Sequence, residues 1–285
     1  MAVDIKTVAL TLLALLAFAS NSLLTRLALG SHQIDAATFT AIRLGAGAVV
    51  LALVVRAQAG TWKPLSGRSA KGPIALFAYA VPFSFAYLRI GAAVGALVLF
   101  GVVQITMIGY GIVRGERPTA LAWVGLGLAT AGLAALTVPS VARPDVWGLL
   151  LMTIAGVSWA VYSLVGKTSP DPVAANARSF LWSSPVAILV AFVLHTSVAA
   201  SGRGIALAVV SGAVTSGLGY TVWYRALRRL SVTQAAVAQL SVPVIAALGA
   251  AALLEERLSA RLVLSGAVVL CGVGLVLSAR SRSSA

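Results

Sequence analysis

Three carboxamides stand inside long apolar runs of this chain: Asn21, Gln104 and Gln239. An unpaired polar group in such surroundings is costly. Each amide therefore holds a carboxylate or ammonium of a bound molecule, or makes an interhelical hydrogen bond worth about 0.6–2 kcal/mol. Five rings sit at comparable depth: Tyr79, Phe83, Trp159, Tyr162 and Tyr220. Their faces attract ammonium groups and their area takes up apolar side chains, unless they simply pack the core. These eight are the candidate substrate-binding residues. Arg43 interrupts the second apolar run and cannot deprotonate. Snorkelling to the interface or structural pairing is preferred for it over attraction of a carboxylate. Arg178, near the start of a later run, reads as an anchor. His32 and His195 fall in opposite loops, and Cys271 is the single cysteine. No metal-ligand spacing or nucleophile–base set emerges from these types, so no catalytic residue, metal or cofactor is assigned and an enzyme is not expected.

The elements that must carry these residues follow from composition. The 285 residues are 60% hydrophobic and 10% charged, with mean hydropathy +0.99. A water-soluble domain is nearer half apolar and a quarter charged, so lipid is the expected solvent. Apolar segments run over 8–29, 37–55, 73–90, 93–113, 119–138, 146–165, 173–194, 204–224, 232–253 and 262–277. Most approach the ~20 residues that a ~30 Å hydrocarbon core requires. Backbone groups in lipid must pair within their own segment, which makes each a helix. The first segment contains Ala17-Phe18-Ala19, similar to a leader cleavage site. Its apolar run continues beyond that tripeptide, and it reads as a retained helix.

The formal charge of +14 is carried by short connections rather than by a continuous basic face. Membrane orientation accounts for it better than nucleic-acid binding does. One set of helix ends carries thirteen Lys and Arg residues and the opposite set five. That excess places both termini in the cytoplasm of a bacterial-type inner membrane. Trp62, Trp123, Trp147 and Trp223 fall near segment ends and read as an interfacial belt.

The two halves of the chain repeat. Sliding residues 88–138 by 140 superposes Glu116 on Glu256, Arg117 on Arg257 and Gly132 on Gly272. At an offset of 141, Phe18 falls on Trp159, Asn21 on Tyr162, Tyr79 on Tyr220 and Phe83 on Tyr224. The expected units are residues 1–140 and 141–285, five helices each. Five is odd, so the second copy enters the membrane upside down. The expected fold class is therefore all-α integral membrane, with ten transmembrane helices as two inverted five-helix repeats. Inverted repeats commonly carry a substrate site near the midplane, between the halves.

Ala226-Leu227, the helix broken by Pro243, the charged turn at Glu256 and the Gly-rich last helix resemble the drug/metabolite transporter superfamily. The similarity is greatest to its ten-helix EamA-type branch and, within that, to amino-acid exporters. The first copy departs from the pattern, with Val103 where the second has Pro243. The resemblance implies alternating-access export of amino acids or related small metabolites. It also implies a cavity lined by the first, third, fourth, sixth, eighth and ninth helices, with the fifth and tenth outside as supports. Export of another metabolite or amphiphilic drug class remains an alternative, as does a non-transporting scaffold or receptor. The seven acidic residues (Asp4, Asp35, Glu116, Asp145, Asp171, Glu255 and Glu256) all fall in termini, loops or helix ends. An uncoupled carrier, driven by the substrate's own gradient, is the expectation. Besides lipid and a small-molecule substrate no partner is implied, and a monomer is compatible with the sequence.

Overall fold

The computed structural model describes residues 4–62, 65, 69–137, 145–194, 200–253, 259–279 and 282–283. Ten helices long and apolar enough to cross a membrane are found among them. These are α1 (Ile5–Gly30), α2 (Ala36–Ala59), α3 (Lys71–Ile90), α4 (Val94–Val113) and α5 (Ala120–Thr137). The second five are α6 (Val146–Thr168), α7 (Pro172–Leu194), α8 (Gly202–Leu227), α9 (Val232–Ala252) and α10 (Ala260–Ser278). The expected ten segments are present, each within a few residues of its expected ends. His195, Glu255, Glu256 and Arg257 lie outside the described residues.

Helix starts explain where the acids went. Asp4 accepts from Thr7 N, Asp35 from Ala37 N and Thr38 N, and Asp145 from Gly148 N. Asp171 accepts from Val173 N and Ala174 N. A carboxylate there satisfies orphan amides and complements the helix dipole. Glu116 does the same at long range, accepting from Val232 N at 2.6 Å, Thr233 N at 3.1 Å and Thr233 Oγ1 at 3.0 Å. All five described acids are thus engaged at helix N-termini.

Three stretches depart from regular geometry. Helical conformation continues from Lys71 to Val113, covering both α3 and α4 with no long loop between them. At 1.5 Å per residue a straight helix of that length would be ~65 Å, twice the hydrocarbon core. Contacts along α6 show that the chain instead doubles back. A methyl at Gly148 would meet Ile90 and at Gly156 would meet Val102, while one at Gly72 lies 3.9 Å from Val165. α8 is π-helical over Ser211–Leu218. α9 breaks between Ala238 and Ser241, just ahead of Pro243. Pro243 lacks the N–H that would bond the Gln239 carbonyl, so the regular hydrogen-bond ladder is interrupted there. The carbonyl of Gln239, which Pro243 cannot bond, accepts from Val242 N at 3.0 Å.

Small residues set the closest helix contacts. Lipid is as apolar as leucine, so membrane helices associate through tight packing rather than by escaping solvent. A Cβ on Gly125 would lie 2.6 Å from Gly272 O, and one on Gly132 would lie 2.9 Å from Ser265 O. With an offset of 140, each of those contacts maps onto the other. The same holds in the centre at an offset of 141: Tyr79 meets Trp159 at 4.8 Å and Phe18 meets Tyr220 at 5.6 Å. Asp4 pairs with Arg229 at 3.0 Å, and β1 (Glu116–Arg117) pairs antiparallel with β2 (Arg282–Ser283). Both chain ends therefore lie at one end of the bundle. Trp62, Trp123 and Trp147 are about half exposed or more, as a belt requires. Trp223 is not part of it. It is fully buried, donates to Ser163 Oγ and packs edge-on against Phe18, because α8 turns this face toward α6.

Candidate functional site

Between the halves lies a chamber lined by Phe18, Asn21 and Ser22 of α1, Tyr79 and Phe83 of α3, Leu99 and Phe100 of α4, Trp159 of α6, Tyr220 of α8 and Val242 of α9. These are the six helices expected to form it. The chamber has only about 20 Å³ of free space, room for one water. Through Ser22, Phe83, Leu99, Phe100 and Val242 it adjoins a vestibule of about 260 Å³. The vestibule also takes in Arg26, Tyr87, Thr137 and Ala250, which lie toward the helix ends remote from both chain termini. The arrangement is a central chamber, nearly closed, approached from one side.

Of the eight candidates, Asn21, Tyr79, Phe83, Trp159 and Tyr220 line the chamber directly. Asn21 Oδ1 accepts from Ser211 Oγ at 2.7 Å, with Thr215 and Ser216 hydroxyls at 3.4 Å. The π-helical turn of α8 brings those three hydroxyls toward α1. Trp159 touches Phe18, Tyr79, Tyr162 and Tyr220, and its indole N–H donates to Gln239 Oε1 at 2.6 Å. Gln239 therefore acts behind the wall. Its Nε2 donates to Ala235 O, one turn back on α9, at 3.0 Å.

Tyr162 and Gln104 sit elsewhere. Tyr162 is buried one layer toward the chain termini, its hydroxyl bonded to Asn176 Oδ1 and its carbonyl accepting from Tyr224. Asn176 in turn donates to Gly217 O and Thr221 Oγ1, both at 2.8 Å. Gln104 lines a separate apolar groove with Gly101, Trp123 and Leu126. Its Nε2 donates to Ala236 O at 2.6 Å, while its Oε1 has no partner.

Of the two readings preferred for Arg43, structural pairing is the one the fold realises. The side chain neither snorkels nor reaches an interface; it is 0% exposed. Nε donates to Ser216 Oγ at 2.9 Å and Nη2 to Tyr220 Oη at 2.6 Å. The guanidinium carbon lies 5.6 Å from the Tyr79 ring and 5.9 Å from the Phe83 ring. Ser211, Ser216 and Asn176 were missed, since isolated hydroxyls and amides carry no periodic signal of their own.

The end bearing the termini is sealed. Lys167 Nζ donates to Leu227 O at 2.9 Å and to Leu230 O, closing α6 onto the end of α8. A cation at a helix C-terminus also complements its dipole. Tyr224 fills the space opposite Gly166, where any Cβ would fall 2.2 Å from its ring. Glu116 ties the α4–α5 turn to α9, and Gln234 ties α9 to Leu277 O at 3.2 Å.

Comparison with known proteins places this geometry in context. The model of the EamA-like transporter family matches residues 146–278. An uncharacterized protein of Pseudomonas aeruginosa is 45% identical over 277 residues, covering 97% of this chain and 96% of that one. An uncharacterized transporter of Archaeoglobus fulgidus is 29% identical over 77% of this chain and 80% of its own. The uncharacterized transporter YwfM of Bacillus subtilis is 28% identical over 73% and 72%. A solved crystal structure, 20% identical, superposes with a TM-score of 0.81 over 95% of this chain and 96% of that one, and so shares the fold.

Proposed function

This chain belongs to the EamA-like transporter family and is a multi-pass membrane transporter, and we propose that it exports amino acids or closely related small metabolites by alternating access. The observation that carries this reading is the chamber. Six helices from both halves converge on an amide and six aromatic rings, approached from one end while the other is sealed. Aromatic faces suit an ammonium or an apolar side chain, and the amide supplies a donor and an acceptor for a polar backbone. Residues 1–140 and 141–285 act as inverted repeats, and exchanging their conformations exchanges the open end. The reciprocal contacts of Phe18 with Tyr220 and of Trp159 with Tyr79 support that exchange. With both termini cytoplasmic in an inner membrane, the vestibule faces outward. Transport is uncoupled: the five described acids cap helix N-termini, away from the chamber. Substrate then flows down its own gradient, outward from a cell that accumulates it.

The test is efflux from proteoliposomes loaded singly with each labelled amino acid. Saturable efflux of at least one, absent from protein-free liposomes, is expected. No saturable efflux of any of them removes the amino-acid claim and leaves another metabolite or amphiphile as cargo.

A further inference from the structure

A guanidinium deep in a membrane protein needs a counter-charge, because desolvating an ion costs several kcal/mol that neutral partners only partly return. Arg43 is fully buried, and its hydrogen bonds go to two hydroxyls, Ser216 Oγ and Tyr220 Oη. Two ring faces, Tyr79 and Phe83, add cation–π attraction but no negative charge. Nη1 has no hydrogen-bond partner at all. The five described acids are all committed to helix N-termini. Among the described residues, Arg43 is thus a desolvated cation that no carboxylate neutralises. Three of the four residues that touch it, Tyr79, Phe83 and Tyr220, also line the chamber, and Ser216 lies 3.4 Å from Asn21.

We propose that Arg43 is the counter-charge for a carboxylate carried by the substrate, which binds in the chamber against Tyr79 and Tyr220. This rests on reading the chamber as the transport site, and it narrows the substrate class to organic acids, amino acids included. The planar guanidinium fork matches a carboxylate in geometry and charge. An amine lacking the carboxylate brings a second cation beside an unneutralised one and is rejected.

The experiment is thermal unfolding of the purified full-length protein in detergent, titrated with phenylalanine, 3-phenylpropionate, phenethylamine, phenylalaninamide and phenyl phosphate. The two carboxylates are expected to raise the melting temperature, and the amine and the amide are not. In Arg43→Gln the apparent affinity for both carboxylates falls at least about ten-fold, the loss of one charge-assisted contact. Arg43→Lys keeps the preference for carboxylates. If Arg43→Gln does not fold, the wild-type series and Arg43→Lys still decide. Stabilisation by 3-phenylpropionate but by no amino acid upholds the carboxylate site and removes the amino-acid reading. Amino-acid efflux together with equal stabilisation by phenethylamine and phenylalanine overturns the role of Arg43 and leaves transport standing. Stabilisation by phenyl phosphate alone, or by no carboxylate, also overturns it.

Discussion

Trp159 shows how a single side chain is held in this site and what its loss would do. Its ring contacts four aromatic neighbours and its N–H is fixed by Gln239. Replacing it with phenylalanine keeps most of the packing but removes the donor. Trp159→Phe should therefore cut transport by ten-fold or more while costing about 1–3 kcal/mol of stability, the penalty of an unsatisfied buried acceptor. Transport rates and melting temperatures measured on the same preparation check this. Gln104 gives the contrast, since it lines a groove away from the chamber. Gln104→Met should change transport by less than about two-fold, because it exchanges one interhelical hydrogen bond worth about 0.6–2 kcal/mol for packing; a larger loss of flux would show that the groove takes part in transport. The difference between these two residues was not legible in the sequence. Both are mid-helix amphipathic or polar groups, and only the helix's rotation toward its neighbours separates them. For Arg43 the sequence left snorkelling and structural pairing together, and could not name its partners, which lie 173 and 177 residues away. Trp223 was misread because nearness to a span's end says nothing about which way a ring points.

The helices themselves were far more legible. Ten apolar runs near twenty residues long leave the backbone no other way to pair, so existence and type follow from composition alone. What composition hid is the irregularity that shapes the site: the π-helical turn of α8 and the break of α9 ahead of Pro243. Within that turn, a Cβ on Gly212 would fall 2.0 Å from Arg43 O, so α2 and α8 touch backbone to backbone there. Gly212→Ala must push them apart and should destabilise the protein by about 1–3 kcal/mol or more. A lowered melting temperature checks it; Gly127→Ala, where nothing lies within 4 Å, is the control and should have little effect. At the sealed end, Glu116 holds the start of α9 by three hydrogen bonds. Glu116→Gln removes the charge that complements that helix start, about 1–2 kcal/mol. It should shift the protein toward opening at the end that bears the termini. Labelling a cysteine at Ser22, with Cys271 first replaced, should then rise several-fold for a reagent applied from that side. Unchanged labelling would mean that Glu116 is no part of the seal.

At the scale of the whole molecule, the internal repeat was the strongest signal in the sequence, while the family resemblance supplied the six helices that surround the chamber. Matches between apolar helices arise easily by chance, but a shared offset does not. In the fold, Gly125 with Gly272 and Gly132 with Ser265 make contacts that exchange under that offset, as Phe18–Tyr220 and Trp159–Tyr79 do in the centre. The identity of the cargo was not legible, because it depends on a few side chains meeting across helices far apart in sequence. Counterflow tests the central claim most directly, since only a site that is exposed to each side in turn can produce it. Proteoliposomes preloaded with an unlabelled amino acid identified by efflux are diluted into a trace of the labelled one, with an ionophore holding the proton gradient at zero. The account predicts a transient accumulation of label above its outside concentration, lost when Trp159 is replaced. Equilibration without overshoot would contradict alternating access, and an overshoot that appears only under an imposed proton gradient would contradict uncoupled transport.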